Sequence, residues 1–379
     1  MPRPGDVMAY LEYEWRLGSS PLVARARRWA DETTRRPRAA WLTTSADDSL
    51  SIGYSGFRSG VSTLYPFVAE RLSQAEGNAE TRQVMADRAS AFSAAATDAD
   101  ILLVCDTMQR VARLPTQRSL VLPGRVHQIV ATGANAKPLH KSDRQRFAKQ
   151  RRENQWTWER ATRDSDFDFF FDRMHEPMVR ERYHEFAVSE KKETARESLF
   201  RRGMLFFLLD HGTRVGGVVC RLDRRHNVLR GRLNGILDGD DRWRRSGVLT
   251  GIYHFMVAWA GEQGISGVDL SGSVPFVSRG VYQTKRHLHP DVVIAQTPNR
   301  HLRYWLHIKR DTEAVRDFLV ANPTLATTGT NTSDLRCVYF TDSSRPPRLD
   351  LQSGVADNDI VDLDMFLSSE PVTTGTHSG

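Results

Sequence analysis

Three arginines cluster where the sequence predicts the beginning of a helix. Arg242, Arg244 and Arg245 follow an acidic turn and precede Gly247, after which apolar residues recur at helical spacing. A helix N-terminus presents unpaired N–H groups and a partial positive charge, and guanidinium groups bind phosphate and carboxylate oxygens. The pattern therefore predicts an anion site. The alternative is that the arginines pair with the acids of the turn, which are Asp238, Asp240 and Asp241.

Other reactive side chains fall in a predicted strand and in the short helix that follows it. Asp269 alternates with apolar residues in ISGVDLSG, so one face of this strand is available to a substrate; a strand-end cap is the alternative. Tyr282 and Lys285 are three residues apart in RGVYQTKRHLH, which places them close to the same helix face. Packing in the core is the alternative interpretation of Tyr282.

The predicted secondary structure that must position these residues differs between the first and the later part of the chain. The first part mixes strand patterns, in AAWLTTS, DILLVCD, SLVLPG and VHQIVATG, with a helix pattern in ETRQVMADRASAFSAAATDAD. From residue 203 to 295 we expect three antiparallel strands, the arginine-rich turn, a helix, a strand, a short helix and a strand. A late helix is predicted in RYWLHIKRDTEAVRDFLVANP and a last strand in DLRCVYF.

Charge is distributed unevenly over the 379 residues, whose net charge is +7. Residues 341–379 contain seven acids and two bases, a net of −5, which leaves +12 for residues 1–340. A net charge of +12 over residues 1–340 favours a polyanionic partner such as a nucleic acid, although a solvated basic surface is the alternative.

A basic helix is predicted in SDRQRFAKQRRENQWTWERATR, and it is the candidate surface for a polyanion. The stretch 141–163 contains eight bases and three acids. Lys141, Arg144 and Arg151 lie roughly on one face, where they would follow a tRNA backbone, with Trp156 or Trp158 stacking on an exposed base. A solvated connecting helix is the alternative.

The number and spacing of the cysteines indicate the type of cellular compartment. Cys105, Cys220 and Cys337 lie far apart without metal-binding spacing, and the first two end apolar runs, so we expect buried thiols in a reducing setting. No histidine cluster has ligand spacing, so no metal is predicted. The first residues lack the pattern of a signal peptide, and no apolar run reaches about 18 residues. We therefore expect a cytoplasmic location without a membrane span.

The stretch from residue 141 to 295 resembles the GCN5-related N-acetyltransferase superfamily. Within it, the chain resembles the tandem-domain branch of Fem-type aminoacyl-tRNA-dependent peptidyl transferases and cellulose-biosynthesis-type acyltransferases. RRSG at 244–247 is similar to the start of the superfamily's phosphate loop, R/Q-x-x-G-x-G/A, and Lys285 in GVYQTKRHLHPDVV matches a lysine of the branch. Leu249 departs from the loop, because it stands where a second small residue would admit the pyrophosphate of coenzyme A.

The resemblance implies the fold class, an α/β (α+β) tandem acetyltransferase-like fold of mixed, mostly antiparallel sheets flanked by helices. We expect a degenerate first domain over residues 1–140, a second domain with the donor site over 141–342, and a disordered acidic tail over 343–379.

The resemblance also implies an enzyme, an N-acyltransferase that moves an aminoacyl group from aminoacyl-tRNA to an amine of a small molecule or peptide. Acyl-CoA is the alternative donor, and no tightly bound cofactor is implied. The donor would lie between the strands VLRGRLNGI and ISGVDLSG, and its binding residues would be Arg242, Arg244, Arg245, Gly247 and Asn234. Three residues would have catalytic roles: Lys285 at the oxyanion or donor phosphate, Tyr282 at the leaving group and Asp269 at the amine.

Two other classes of protein stay open. One is a non-catalytic nucleic-acid-binding protein. The other is a scaffold whose acidic segment DNDIVDLDMF docks a partner.

Overall fold

The chain forms two compact units, each assembled from separate stretches of sequence. A computed structural model describes residues 4–18, 20–33, 38–73, 79–83, 98–183, 190–329 and 332–368. They form a mixed α/β fold of mostly antiparallel sheets flanked by helices, which confirms the predicted fold class. Unit 1 consists of 1–34, 125–274 and 279–300, and unit 2 consists of 35–124, 275–278 and 301–379.

Strands and helices are interspersed along the chain. The strands are β1 (Arg38–Thr44), β2 (Ser51–Phe57), β3 (Glu80–Gln83), β4 (Ile101–Thr107), β5 (Ser119–Pro123), β6 (Val126–Ala131), β7 (Thr157–Ala161), β8 (Met204–Asp210), β9 (Thr213–Asp223), β10 (Val228–Ile236), β11 (Gly267–Ser273), β12 (Asp291–Ile294), β13 (Leu302–Ile308), β14 (Thr324–Thr327), β15 (Leu335–Thr341) and β16 (Asp357–Asp362). The α-helices are α1 (Pro4–Leu17), α2 (Pro21–Thr33), α3 (Arg58–Leu72), α4 (Met108–Val111), α5 (Lys141–Glu153), α6 (Asp164–Phe170), α7 (Glu176–Tyr183), α8 (Lys192–Ala195), α9 (Asp241–Arg245), α10 (Val248–Glu262), α11 (Gly280–Arg286), α12 (Glu313–Ala321) and α13 (Leu363–Leu367).

Unit 1 is built on one seven-stranded sheet, in the order β12-β6-β11-β10-β9-β8-β7. The central strands β10 and β11 run parallel, whereas the other neighbours in this sheet are antiparallel. One face packs against α10, which buries a side chain every fourth residue from Val248 to Ala260. Gly216 of β9 permits this approach, because a Cβ there would stand 2.5 Å from Val248 Cγ1.

Unit 2 is built on two sheets. The larger has the order β3-β1-β2-β4-β13-β5, and the smaller has the order β14-β15-β16. In the larger sheet β2 and β4 run parallel and both are buried along their whole length.

The chain passes between the units inside its sheet-forming stretches. β6 follows β5 after two residues but belongs to unit 1, where it lies between β11 and β12. β13 comes after β12 but belongs to unit 2, where it lies between β4 and β5. The predicted domain boundaries at residues 140 and 342 differ from the limits of these units. Independent folding of the predicted domains stays a prediction.

Four local predictions are wrong in the described residues. The stretches 157–161 and 302–308, predicted within helices, are strands β7 and β13. The helix predicted from residue 80 begins instead as β3, and its continuation over 84–97 lies outside the described residues. The predicted disordered tail is folded over 343–368, where β16 pairs in parallel with β15 and α13 follows; residues 369–379 lie outside the described part.

Acids of this folded segment and the adjacent Asp342 pair with basic residues of unit 2. Arg316 pairs with Asp342 at 3.4 Å and with Asp364 at 2.7 Å, and Arg336 pairs with Asp359 at 3.1 Å. Docking of a partner by DNDIVDLDMF stays a prediction.

Two chemical predictions can be compared directly with the described residues. Cys105, Cys220 and Cys337 are buried free thiols, as predicted for the first two, and burial raises the pKa of Cys337 to about 12. No described helix combines the length and the apolarity needed to cross a membrane.

Candidate functional site

A gap opens between the two parallel strands at the centre of unit 1. β10 and β11 pair over three positions, ending with Arg230 opposite Asp269. Beyond that pair β10 continues to Ile236 and β11 to Ser273 without further pairing between the two strands. The backbone groups of the two strands beyond that pair therefore have no ladder partner across the gap.

Asp269 lies at the vertex of this gap and is held from two sides. Its carboxylate is 2% exposed; Oδ2 is 2.7 Å from His127 Nδ1 on β6, and Oδ1 accepts a hydrogen bond from the Ser271 N–H at 2.8 Å. Burial alone would raise the pKa of Asp269, but His127, Arg232 and Arg230 hold that pKa below its usual range. Asp269 is therefore a charged residue in the core of the sheet, not a strand-end cap at the surface.

Lys285 reaches the same vertex from α11. Its side chain is buried, and Nζ donates to the carbonyl oxygens of Ser271 at 2.9 Å and Gly272 at 3.3 Å and to Ser273 Oγ at 3.3 Å. The acceptors belong to a bulge in β11, where the pairing shifts and Ser271 has a φ of +73°. Lys285 thus holds the bulge that turns the Ser271 N–H toward Asp269, while its predicted contact with a donor stays a prediction.

Tyr282 lies on α11 beside Lys285 and is fully buried. Its backbone carbonyl oxygen accepts a hydrogen bond from Gln128 Nε2 at 3.2 Å, and Gln128 Oε1 accepts one from Ser273 Oγ at 3.5 Å. The structure therefore brings Asp269, Tyr282 and Lys285 to one region where β6, β11 and α11 meet. The proton-donor role of Tyr282 stays a prediction.

Two buried polar atoms along β10 lack partners. Asn234 Oδ1 and Arg230 Nε make no hydrogen bond to a described residue, although Arg230 also pairs with Asp223 at 2.6 Å. Asn234 uses its backbone carbonyl to accept a hydrogen bond from His175 Nδ1 at 2.8 Å. Because buried polar atoms normally have partners, a ligand or water would complete the hydrogen bonding of these two atoms.

The three arginines behave as the alternative interpretation expects. They occupy the five-residue helix α9 and remain exposed, but each pairs with an acid of the preceding turn: Arg242 with Asp240, and both Arg244 and Arg245 with Asp241. Gly247 caps the start of α10 with a φ of +89°, a conformation that favours glycine. Binding of an anion here would compete with these ion pairs.

The predicted tRNA-binding residues lie on α5, a helix that buries none of its residues. Lys141, Arg144 and Arg151 are exposed, and Arg151 lies over the Phe255 ring at 5.3 Å. The two tryptophans are not available for stacking on a base. Trp156 is 2% exposed, and Trp158 is stacked between Phe206 and Phe255.

A shallow cavity of about 440 Å³ adjoins the end of α5. Among the residues that line it are Phe147, Arg151, Arg152 and Gln155. Two arginine side chains in this lining suit a phosphate group.

Sequence reasoning missed His127, Gln128 and Arg230. All three are polar residues inside strands that the sequence does predict. The signal is present, because two consecutive polar residues in the otherwise apolar run VHQIVA face opposite sides of a strand and cannot both face solvent in a buried sheet. Among the described residues no group of three or more His, Cys, Asp or Glu side chains is arranged to hold a metal ion.

Comparisons with known proteins give low similarity. No protein-family model matches the chain, and no curated protein matches it. Among solved structures it is similar to L-PGS from Bacillus licheniformis, with 13% identity, 84% of this chain and 96% of that chain covered and a TM-score of 0.39. It is also similar to the C-terminal domain of a putative lysylphosphatidylglycerol synthetase from Agrobacterium fabrum, with 10% identity, coverage of 80% and 92% and a TM-score of 0.36. A GCN5-related N-acetyltransferase-like protein from Streptococcus suis is 9% identical, with coverage of 80% and 98% and a TM-score of 0.29.

Proposed function

We propose that the protein is an N-acyltransferase that transfers an activated aminoacyl group to an amine of a small molecule or peptide. The observation that supports this proposal is the gap between β10 and β11, with a buried carboxylate and an imidazole at its vertex. Acyl transfer to an amine needs donors for a developing oxyanion and a group that takes up a proton. Backbone N–H groups of β10 and β11 beyond the paired positions would meet the first need, and the His127–Asp269 pair at the vertex would meet the second.

The donor in this proposal is aminoacyl-tRNA, bound as a co-substrate, and the protein acts in the cytoplasm without a tightly bound cofactor. Support comes from the net positive charge of residues 1–340 and from α5, whose exposed cations include Lys141, Arg144 and Arg151. Leu249 is packed against the core next to Gly247, which is unfavourable for close approach of a pyrophosphate. Acyl-CoA is the alternative donor.

Analysis of the products distinguishes aminoacyl-tRNA from acyl-CoA as the donor. The purified chain is incubated with charged tRNA and cell extract, with and without RNase treatment, and new amides are identified by mass spectrometry. We expect products that disappear after RNase treatment. RNase-resistant product, together with a melting temperature raised by acetyl-CoA and unchanged by tRNA, would establish acyl-CoA as the donor instead.

Charge reversal on α5 tests the tRNA surface. The triple variant Lys141→Glu, Arg144→Glu, Arg151→Glu should weaken tRNA binding and lower the slope of log affinity against log salt by about 2, since single strands release roughly 0.7 ions per phosphate contact. The matched control reverses three exposed arginines of unit 1 that already pair with aspartates, which are Arg163, Arg173 and Arg201. Equal losses in both variants would show that net charge, not α5, attracts the tRNA.

A further inference from the structure

His127 and Asp269 form a buried pair whose hydrogen-bonding pattern defines which atom can take up a proton. Both carboxylate oxygens of Asp269 are engaged, one by His127 Nδ1 at 2.7 Å and one by the Ser271 N–H at 2.8 Å. A carboxylate whose pKa lies below its usual range is a weak base. Asp269 is therefore suited to hold its neighbours and poorly suited to remove a proton from an amine.

The pairing selects one tautomer of His127. An ionised carboxylate only accepts hydrogen bonds, so Nδ1 of His127 carries the hydrogen that it donates to Asp269. In the neutral ring this leaves the lone pair on Nε2. Burial lowers the pKa of His127 from its ordinary value; Asp269 opposes that shift, and Arg232 and Arg125 add to it. The ring is thus neutral near pH 7, with Nε2 as its basic atom.

Nε2 of His127 makes no hydrogen bond to any described residue, although the side chain is only 4% exposed. The strand that carries His127 pairs with β11 at Gly272 and with β12 at Val293, so His127 lies beside the bulge of β11 and contacts Asp269 at the vertex of the gap. Asn234 Oδ1 and Arg230 Nε are likewise unpaired in the same sheet. A ligand bound at the vertex would supply a partner for Nε2.

We propose that Nε2 of His127 is the proton acceptor for the attacking amine and that Asp269 is the residue that positions it. This inference rests on the proposed function. The neutral amine nitrogen forms a bond to the carbonyl carbon of an aminoacyl ester, and the ester C–O bond breaks. The proton leaves the amine for Nε2 and passes from the imidazolium to the departing oxygen, so the products are an amide and a free hydroxyl group.

The tautomer is measured first, because it does not depend on activity. In the full ¹⁵N-labelled chain, long-range ¹H–¹⁵N spectra assign His127 by its loss in His127→Asn. We expect a neutral ring with Nδ1 protonated and Nε2 unprotonated from pH 6.5 to 8. In Asp269→Asn this preference should be lost. A ring protonated at Nε2, or an imidazolium throughout this range, would overturn the proposal.

Kinetics then tests the role in transfer. His127→Asn keeps a nitrogen donor near the position of Nδ1 but has no base at Nε2, so we expect a stable protein whose kcat falls about 100-fold or more with little change in KM. The control is His211→Ala, because His211 also lies 2.7 Å from an aspartate, Asp210, but is exposed. Unchanged kcat in His127→Asn would refute the role of Nε2.

The outcomes also separate this inference from the proposed function. Absence of product from the native chain with every donor contradicts acyl transfer itself, and the spectra still report whether Nε2 is the basic atom. Product formation by the native chain together with full activity in His127→Asn contradicts only the assignment to His127. If His127→Asn fails to fold, Asp269→Asn replaces it, and its pH–rate profile should shift because the tautomer is no longer held.

Discussion

The two units contain the same arrangement of parallel central strands but differ in whether the strands separate. In unit 1, β10 and β11 pair over three positions and then diverge. In unit 2, β2 and β4 pair over five positions, from Ile52–Ile101 to Gly56–Cys105. Gly56 lies so close to β4 that a Cβ would clash with the Cys105 carbonyl oxygen. A closed strand pair leaves no backbone for a ligand.

The side chains next to the two parallel strand pairs also differ. Unit 1 places a hydrogen-bonded carboxylate and imidazole at the vertex, with Asp269 and His127 on adjacent strands. Unit 2 places Tyr54 on β2, and its hydroxyl group donates to the Phe57 carbonyl oxygen at 2.5 Å and lies next to Gly60 at the start of α3. In the proposed function the open strand pair of unit 1 binds the ligand, and the closed strand pair of unit 2 has no such role.

Removing the buried cations should produce the largest effects and should distinguish the units. Lys285 in unit 1 and Arg303 in unit 2 both donate to backbone carbonyl oxygens. Replacing either by Met leaves buried acceptors unpaired, so we expect about 3 kcal/mol loss in the free energy of unfolding for both variants. Urea unfolding measures the stability, and transfer assays measure kcat.

Only Lys285→Met should also lose transfer activity, because only Lys285 holds the bulge beside Asp269. Equal activity per folded molecule in Lys285→Met and Arg303→Met would remove the functional distinction between the units.

Acid should affect a ring stack in unit 1 that has an apolar counterpart in unit 2. His254 of α10 stacks on Phe147 at 4.0 Å, whereas Phe67 of α3 stacks on Phe276 at 4.4 Å. Burial lowers the pKa of His254 to about 4, below its value in the unfolded chain. The neutral ring therefore contributes stability above pH 6.5 that is lost as the pH falls toward 4.

His254→Phe makes the stack of unit 1 resemble that of unit 2. Between pH 7 and pH 5 the free energy of unfolding should fall by about 2 kcal/mol less in this variant than in the native chain. Urea titrations at the two pH values provide the comparison. An identical pH dependence in both proteins would show that His254 is not buried in its neutral form.

A pair of asparagines should give the smallest effects and the sharpest contrast. Asn234 Oδ1 in unit 1 has no described partner, whereas Asn322 in unit 2 accepts from Ser278 Oγ at 2.6 Å and donates to the Phe318 carbonyl oxygen at 2.7 Å. Asn234→Ala should cost little stability but lower kcat/KM about tenfold, equivalent to about 1.4 kcal/mol of lost ligand hydrogen bonding.

Asn322→Ala should do the reverse, with about 1–2 kcal/mol lost in stability and unchanged kcat/KM. Denaturant unfolding and kinetics on the two variants check both expectations. A stability loss at Asn234 as large as that at Asn322 would mean that the Asn234 amide is already satisfied in the native chain.

Elements with a regular local pattern are predictable from sequence. The three-stranded meander of unit 1 and α10 belong to this group, because turn residues separate the strands and the apolar residues recur at helical spacing. β13 does not, because its run LRYWLHI is almost entirely buried, and a continuous apolar run does not distinguish a strand from a buried helix. Its neighbours β4 and β5 lie more than 170 residues earlier in the chain.

The sequence predicts which residues belong to part of the candidate site, but it does not predict which side chains contact one another there. Asp269, Tyr282 and Lys285 come from one continuous stretch, and they do lie close to one another. The partner of Asp269 is His127, 142 residues away, on a strand whose insertion next to β11 no local pattern encodes. The ion pairs of the three arginines are equally hard to predict, because their geometry depends on the turn that precedes α9.

The passage of β6 and β13 between the units has a consequence for synthesis on the ribosome. β6 is complete at residue 131, but its first partner strand, β11, begins at residue 267. At roughly 5–20 residues per second, β6 therefore remains without a partner strand for roughly 7–27 s. β5 waits still longer, because its neighbour β13 ends at residue 308. An abundant holdase chaperone, which covers unpaired strand edges, should therefore raise the yield of native protein.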